Sequence, residues 1–173
     1  MTSNTKLFGL ITAILLVLPS AVKAQEDTTL GAFLAYGTEI ENIGIGANAE
    51  FPIMESLTIS PSFIYYLPKS EGPVDINWFE VNANANYYLL QESSMSIYAI
   101  GGLNYSSVET SIDDDAFGGF GNDISGSDGR FGLNLGGGAN FDIGSGITPF
   151  SELKYVIIDG GQLVLGAGVR FKI

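Results

Sequence analysis

From Thr29 onward the chain alternates apolar residues with small or polar ones at a period of two. The alternation runs in segments of roughly nine to twelve residues, bounded by turn-forming residues, which predicts β-strands with one apolar face each. Leu30, Ala32, Leu34 and Tyr36 share a face in the first segment. Ile43, Ile45, Ala47, Ala49 and Phe51 do so in the second, and Leu57, Ile59, Pro61, Phe63, Tyr65 and Leu67 in the third. The fourth is the clearest: Phe79, Val81, Ala83, Ala85, Tyr87 and Leu89 face one way, Glu80, Asn82, Asn84 and Asn86 the other. Ile97, Ala99, Gly101, Leu103 and Tyr105 give the fifth, and Phe131, Leu133, Leu135, Gly137, Ala139 and Phe141 the sixth. Leu153, Tyr155 and Ile157 mark the seventh, and Leu163, Leu165, Ala167, Val169, Phe171 and Ile173 the eighth.

The breaks differ along the chain. Pro52–Ser56, Gln91–Ser94 and Gly144–Gly146 are compact turns, whereas Lys69–Asn77 and Val108–Gly129 are longer polar loops. Thr38–Asn42 and Asp159–Gly161 are short. An even strand number, with compact turns at one end and longer loops at the other, is the outer-membrane pattern. The predicted fold is all-β, an eight-stranded antiparallel up-and-down transmembrane β-barrel.

Alternation by itself fits a soluble barrel equally well, so the character of each face decides. A soluble barrel exposes a charge-rich face. Here the polar face is mostly Gly, Asn and Ser, with a few charges such as Glu50, Glu80, Glu152, Lys154 and Arg170, which suits a narrow hydrogen-bonded lumen. Aromatics on the apolar face fall near strand ends. Tyr36, Tyr65, Tyr105 and Tyr155 close the odd strands, and Phe51, Tyr87, Phe141 and Phe171 close the even ones. In an up-and-down barrel these sets form two belts at opposite rims, where a bilayer selects amphipathic rings.

Residues 1–24 have the character of a cleavable signal peptide. Lys6 precedes a twelve-residue apolar run, Leu7–Leu18; Pro19-Ser20 breaks it, and Val22-Lys23-Ala24 supplies small cleavage-site residues. Twelve residues span about 18 Å as a helix, short of the roughly 30 Å hydrocarbon core. The expected organisation is a signal at 1–24 and one outer-membrane β-barrel domain at 25–173, with the cell outer membrane as destination.

Composition narrows the chemistry. Cys and His are both absent, which removes disulfides, thiolate metal sites and the commonest general base. Acidic residues outnumber basic ones 19 to 7, and beyond the signal segment 19 to 5, a net charge of −14. Such a chain repels nucleic-acid phosphates. The 23 glycines fit a tight barrel interior and its turns.

The segment Phe150-Ser-Glu-Leu-Lys-Tyr155, then Gly160, then Leu163-Val-Leu-Gly-Ala-Gly-Val-Arg-Phe171, resembles small outer-membrane barrels of the OmpA/OmpX/opacity-protein type. The resemblance implies the barrel fold and recognition by the barrel assembly machinery. Many such barrels end on an aromatic residue, whereas this sequence keeps its aromatic at Phe171, two residues early.

Glu152 and Lys154 on one strand, Arg170 and Lys172 on the next, and Glu50 and Glu80 from elsewhere should all point into the lumen. Buried charges require partners, so a salt-bridge network is expected. No catalytic, cofactor or metal residues are assigned, and enzymatic activity is not expected, because nothing replaces His beside a serine. The acidic loop holds Glu109, Asp113, Asp114, Asp115, Asp123 and Asp128. Its stretch Gly118–Gly126 resembles one calcium-binding RTX nonapeptide, but with Ser125 where a large apolar residue belongs. It is expected to be a solvated surface loop, with calcium ligation as the alternative. The leading functional expectation is a structural or surface-interaction barrel contacting outer-membrane lipids, lipopolysaccharide and an extracellular partner. The alternatives are a narrow porin-like channel for ions or small solutes, and a soluble periplasmic ligand-binding barrel.

Overall fold

The computed structural model describes residues 28–71, 74–112 and 125–173. Eight antiparallel strands pair strictly in sequence order and close into a barrel, because β1 pairs with both β2 and β8. They are β1 (Thr29–Gly37), β2 (Asn42–Met54), β3 (Leu57–Glu71), β4 (Val74–Gln91), β5 (Met95–Ile112), β6 (Ser125–Phe141), β7 (Ile147–Ile157) and β8 (Gln162–Lys172). Closure leaves no unpaired strand within the wall, which is what a sheet needs where water is absent.

The period-two reading fixes the two faces. Leu34, Ile45, Leu103, Leu135, Leu153 and Leu165 are exposed on the outer wall, while Ile64, Glu80, Asn82, Asn104 and Asn134 at the opposite parity are buried inside. Of the eight expected belt aromatics, Tyr36, Tyr65, Tyr87, Tyr155, Phe141 and Phe171 are exposed, and Phe51 and Tyr105 are half-buried. At the loop end, successive rings from Phe63 to Phe79, Tyr105 and Phe131 lie 5.0–6.4 Å apart. They form a continuous aromatic band across β3–β6.

The lumen is less uniformly polar than the sequence suggests. Phe33, Ile64, Tyr66, Phe150, Val156 and Val164 form a buried apolar cluster inside the barrel. Glycines make room for its rings and for Tyr98: a Cβ on Gly46 would strike the Phe33 ring, and one on Gly138 the Tyr98 ring. Side chains of this size fill an eight-stranded interior.

Two expected loops are shorter than their composition implied. β3 and β4 continue through most of 69–77 and pair to Glu71↔Val74. β5 and β6 likewise pair to Ser111↔Ser125, so both ends of the supposed 108–129 loop are strand. Beyond the bilayer a hairpin ladder is held by backbone hydrogen bonds and needs no apolar face, so alternation fades while pairing persists. The outcome is lopsided. β2 meets β3 only as far as Gly44↔Tyr66, and β7 meets β6 only as far as Leu133↔Ile157. A four-stranded sheet, β3–β6, therefore projects past the rim set by β1, β2, β7 and β8.

The compact turns lie at the end that holds both chain ends of the barrel. Asp142 caps one of them by accepting from the Gly144 amide at 2.7 Å, and Gly144 and Gly146 supply positive φ there. The signal segment 1–24 and the RTX-like stretch with Asp113, Asp114, Asp115 and Asp123 lie outside the described residues.

Candidate functional site

The lumen holds two ionic clusters at different heights. In the cluster nearer the compact turns, Arg170 on β8 reaches Glu152 on β7 at 2.6 Å and Glu50 on β2 at 3.2 Å. The guanidinium also stacks on the Phe150 ring, its Cζ 3.9 Å from the centroid, and donates to Asn140 Oδ1 at 2.6 Å. A desolvated cation over an aromatic face gains about 2 kcal/mol. Glu50 Oε1 accepts from Thr58, Tyr88 and Asn86 at 2.5, 2.7 and 3.1 Å. Glu152 accepts from the Tyr98 hydroxyl at 2.8 Å. The guanidinium thus serves two carboxylates, and neutral donors bond to both as well.

The cluster nearer the loops is balanced. Lys154 Nζ meets Glu80 Oε2 at 3.1 Å, and both residues are buried. Glu80 also accepts from Gln162 at 2.6 Å, Tyr66 at 3.0 Å and Asn104 at 3.3 Å. Asparagines extend the net: Asn134 donates to Asn82 and Asn84 at 2.8 and 2.7 Å, and Asn104 donates to Asn82 at 2.8 Å. Six of the eight strands contribute, each through an inward residue at period two.

Five of the six expected lumen charges are therefore brought into these clusters. The sixth, Lys172, is exposed at the inner mouth, lining a cavity with Glu50 and Arg170. Glu152 and Lys154, neighbours on one face of β7, enter different clusters rather than pairing. Sequence reasoning missed the tyrosines Tyr66, Tyr88 and Tyr98 and the amide Gln162. Their signal was present: each occupies the inward parity of its strand, where a large polar side chain must find a partner.

Arg170, Tyr66, Glu80, Asn82, Asn104 and Asn134 are each at most 1% exposed. These six side chains are thus shut off from water. Among the described residues no three carboxylates gather in a way that would hold a metal ion.

A family model described as "Outer membrane protein beta-barrel domain" matches residues 12–171. Among solved structures, the N-terminal β-barrel domain of Pseudomonas aeruginosa OprF superposes with a TM-score of 0.66 at 14% identity, covering 86% of this chain and 98% of that one. Neisserial surface protein A gives 0.63 at 16% identity, covering 84% and 96%. Ail, the attachment invasion locus protein of Yersinia pestis, gives 0.54 at 18%, covering 84% and 97%. At these identities the likeness is one of fold. No curated protein matches the sequence.

Proposed function

The chain belongs to the outer membrane protein β-barrel domain family, and from that premise we propose that it is a closed surface scaffold, displaying the β3–β6 sheet outside the cell. The observation that carries this reading is the packed lumen. A barrel whose central polar side chains are shut off from water is suited to holding a structure in place rather than to passing solutes. The projecting sheet supports display: β3 beyond Leu67 and β6 before Leu133 have ladder edges that β2 and β7 do not cover. An uncovered edge is a template for a partner's extended segment.

In this reading residues 1–24 direct export, the barrel assembly machinery inserts the folded strands, and outer-leaflet lipids including lipopolysaccharide cover the wall. The role is non-enzymatic. Reconstitution in planar bilayers tests it. The folded protein is expected to leave the membrane electrically silent at both polarities. A stable wild-type conductance, altered by substitution at Glu80 or Lys154, would transfer the reading to a narrow channel.

A further inference from the structure

The dipeptide Asp-Gly occurs twice in the chain, as Asp128-Gly129 and Asp159-Gly160. In such a pair the glycine amide nitrogen can attack the aspartate Cγ, because no Cβ on the following residue obstructs the approach. The nitrogen loses its proton, the N–Cγ bond forms, and the carboxyl hydroxyl leaves as water, closing a succinimide ring. Water then adds back at one of the two ring carbonyls. Opening at the backbone carbonyl leaves isoaspartate, with the main chain running through Cβ and Cγ. The reaction needs only water and a proton acceptor.

Both aspartates are exposed, so exposure does not separate the two pairs; their bonds do. The Asp128 carboxylate is held by Arg130, through Nη2 at 2.8 Å and Nε at 2.9 Å. Asp128 and Gly129 also pair with Val108 and Ser107 in the β5–β6 ladder. An ion-paired carboxylate has no hydroxyl to lose, and a laddered backbone cannot turn its amide onto the side chain. Asp159 lies instead in the β7–β8 turn, which the Gly161 amide closes by donating to Ile158 O at 2.8 Å. Arg130 bonds Asp159 only at its backbone oxygen, at 3.4 Å, and attracts its carboxylate through space. The Gly160 amide has no hydrogen bond among the described residues. Gly160 and Gly161, at φ +95° and +61°, leave this peptide free of any Cβ that would hinder its rotation. Glu39, from the β1–β2 turn, brings Oε1 to 3.6 Å from the point where a Gly160 Cβ would stand, so a carboxylate is at hand to take the amide proton.

We infer that Asp159 is a self-modification site: it converts to isoaspartate through a succinimide with Gly160, Glu39 accepting the proton, while Asp128 persists. The β7–β8 ladder ends at Val156↔Gln162, so the added backbone atom is taken up beyond the barrel wall. It moves the carbonyl that Arg130 holds and re-aims the acidic group at the outer mouth. The displayed surface therefore changes with age while the barrel stays folded. This chemistry is independent of the scaffold role and of whether the lumen conducts.

The folded barrel in detergent is held for days at mildly acidic pH, where part of an ordinary aspartate is protonated. Cleavage after glutamate separates the two pairs into the peptides Thr110–Glu152 and Leu153–Ile173. Electron-transfer fragmentation then reads isoaspartate at each position. It should accumulate at 159 about tenfold or more faster than at 128, with a transient species lighter by one water. In urea both pairs should convert at similar rates, which assigns the difference to the fold. Glu39→Gln should slow conversion at 159 about threefold or more in the folded barrel and leave the rate in urea unchanged. Heat-modifiable migration on a gel checks that the variant folds. If it does not, Arg130→Gln takes its place, and must raise conversion at 128 by freeing that carboxylate. No isoaspartate at 159 in the folded barrel, equal rates at the two pairs, or indifference to the variant that folds would overturn the assignment.

Discussion

The two lumen clusters use the same wall and the same residue types, yet they handle charge differently. Around Glu80 one lysine meets one carboxylate, and carboxamides and a tyrosine take the remaining valences. Around Arg170 one guanidinium bridges two carboxylates and leans on an aromatic ring. The difference follows from donor geometry. Arginine's planar fork can serve two acceptors at once, whereas a lysine ammonium is a point charge. The inner cluster should therefore depend on its cation more heavily than the outer one does. Urea unfolding of the barrel, followed by Trp78 emission and by gel migration, measures that dependence.

Arg170→Met should have the largest effect. It strands Glu50 and Glu152 together in the lumen, and breaking a buried pair this way costs about 3–5 kcal/mol. Lys154→Met should cost less, about 1–3 kcal/mol, because Glu80 keeps three other donors, from Gln162, Tyr66 and Asn104. Equal losses would mean that the two clusters are energetically alike and that the fork geometry is incidental. Adding Glu80→Gln to Lys154→Met removes the stranded charge, and the double variant should return to within about 1 kcal/mol of wild type. A double variant no better than the single would locate the cost in lost packing of the lysine stem rather than in charge.

How much of this was legible in the sequence follows the same physics. Parity was readable because the bilayer and the lumen impose opposite demands on alternate residues, so Leu103 faces out and Asn104 in. The strand ends were not readable, because neither demand operates beyond the membrane. Val108↔Asp128 and Asn77↔Glu109 pair in the ladder without an apolar face to announce them. The network members were legible as charges but not as partners. Glu152 lies two residues from Lys154 yet binds Arg170, because the β7–β8 hairpin sets the register at Glu152↔Gly166 and leaves Arg170 within reach on the same inward face. The apolar cluster was not foreseen because the inward face was read from its Gly, Asn and Ser, and Phe33 was assigned to neither face. At inward parity Phe33 lies between Gly46 and Gly168, and Phe150 shares Gly168 with it, so the two rings fill the space the glycines leave.

Glu50→Gln sharpens the contrast most finely, since it should do almost nothing. Arg170 contacts both Glu50 and Glu152, so neutralising Glu50 leaves it paired with Glu152 at 2.6 Å. A glutamine there must present its oxygen to Arg170 and its nitrogen to Thr58, Tyr88 and Asn86, all of which now donate to Oε1. The two hydroxyls can rotate to accept, and the Asn86 amide can turn over. The expected loss is under about 1 kcal/mol. Glu80→Gln alone is the matched control, and it should cost more because it leaves Lys154 buried without a counter-charge. A Glu50→Gln loss as large as that of Arg170→Met would mean that both carboxylates are needed to hold the guanidinium over Phe150.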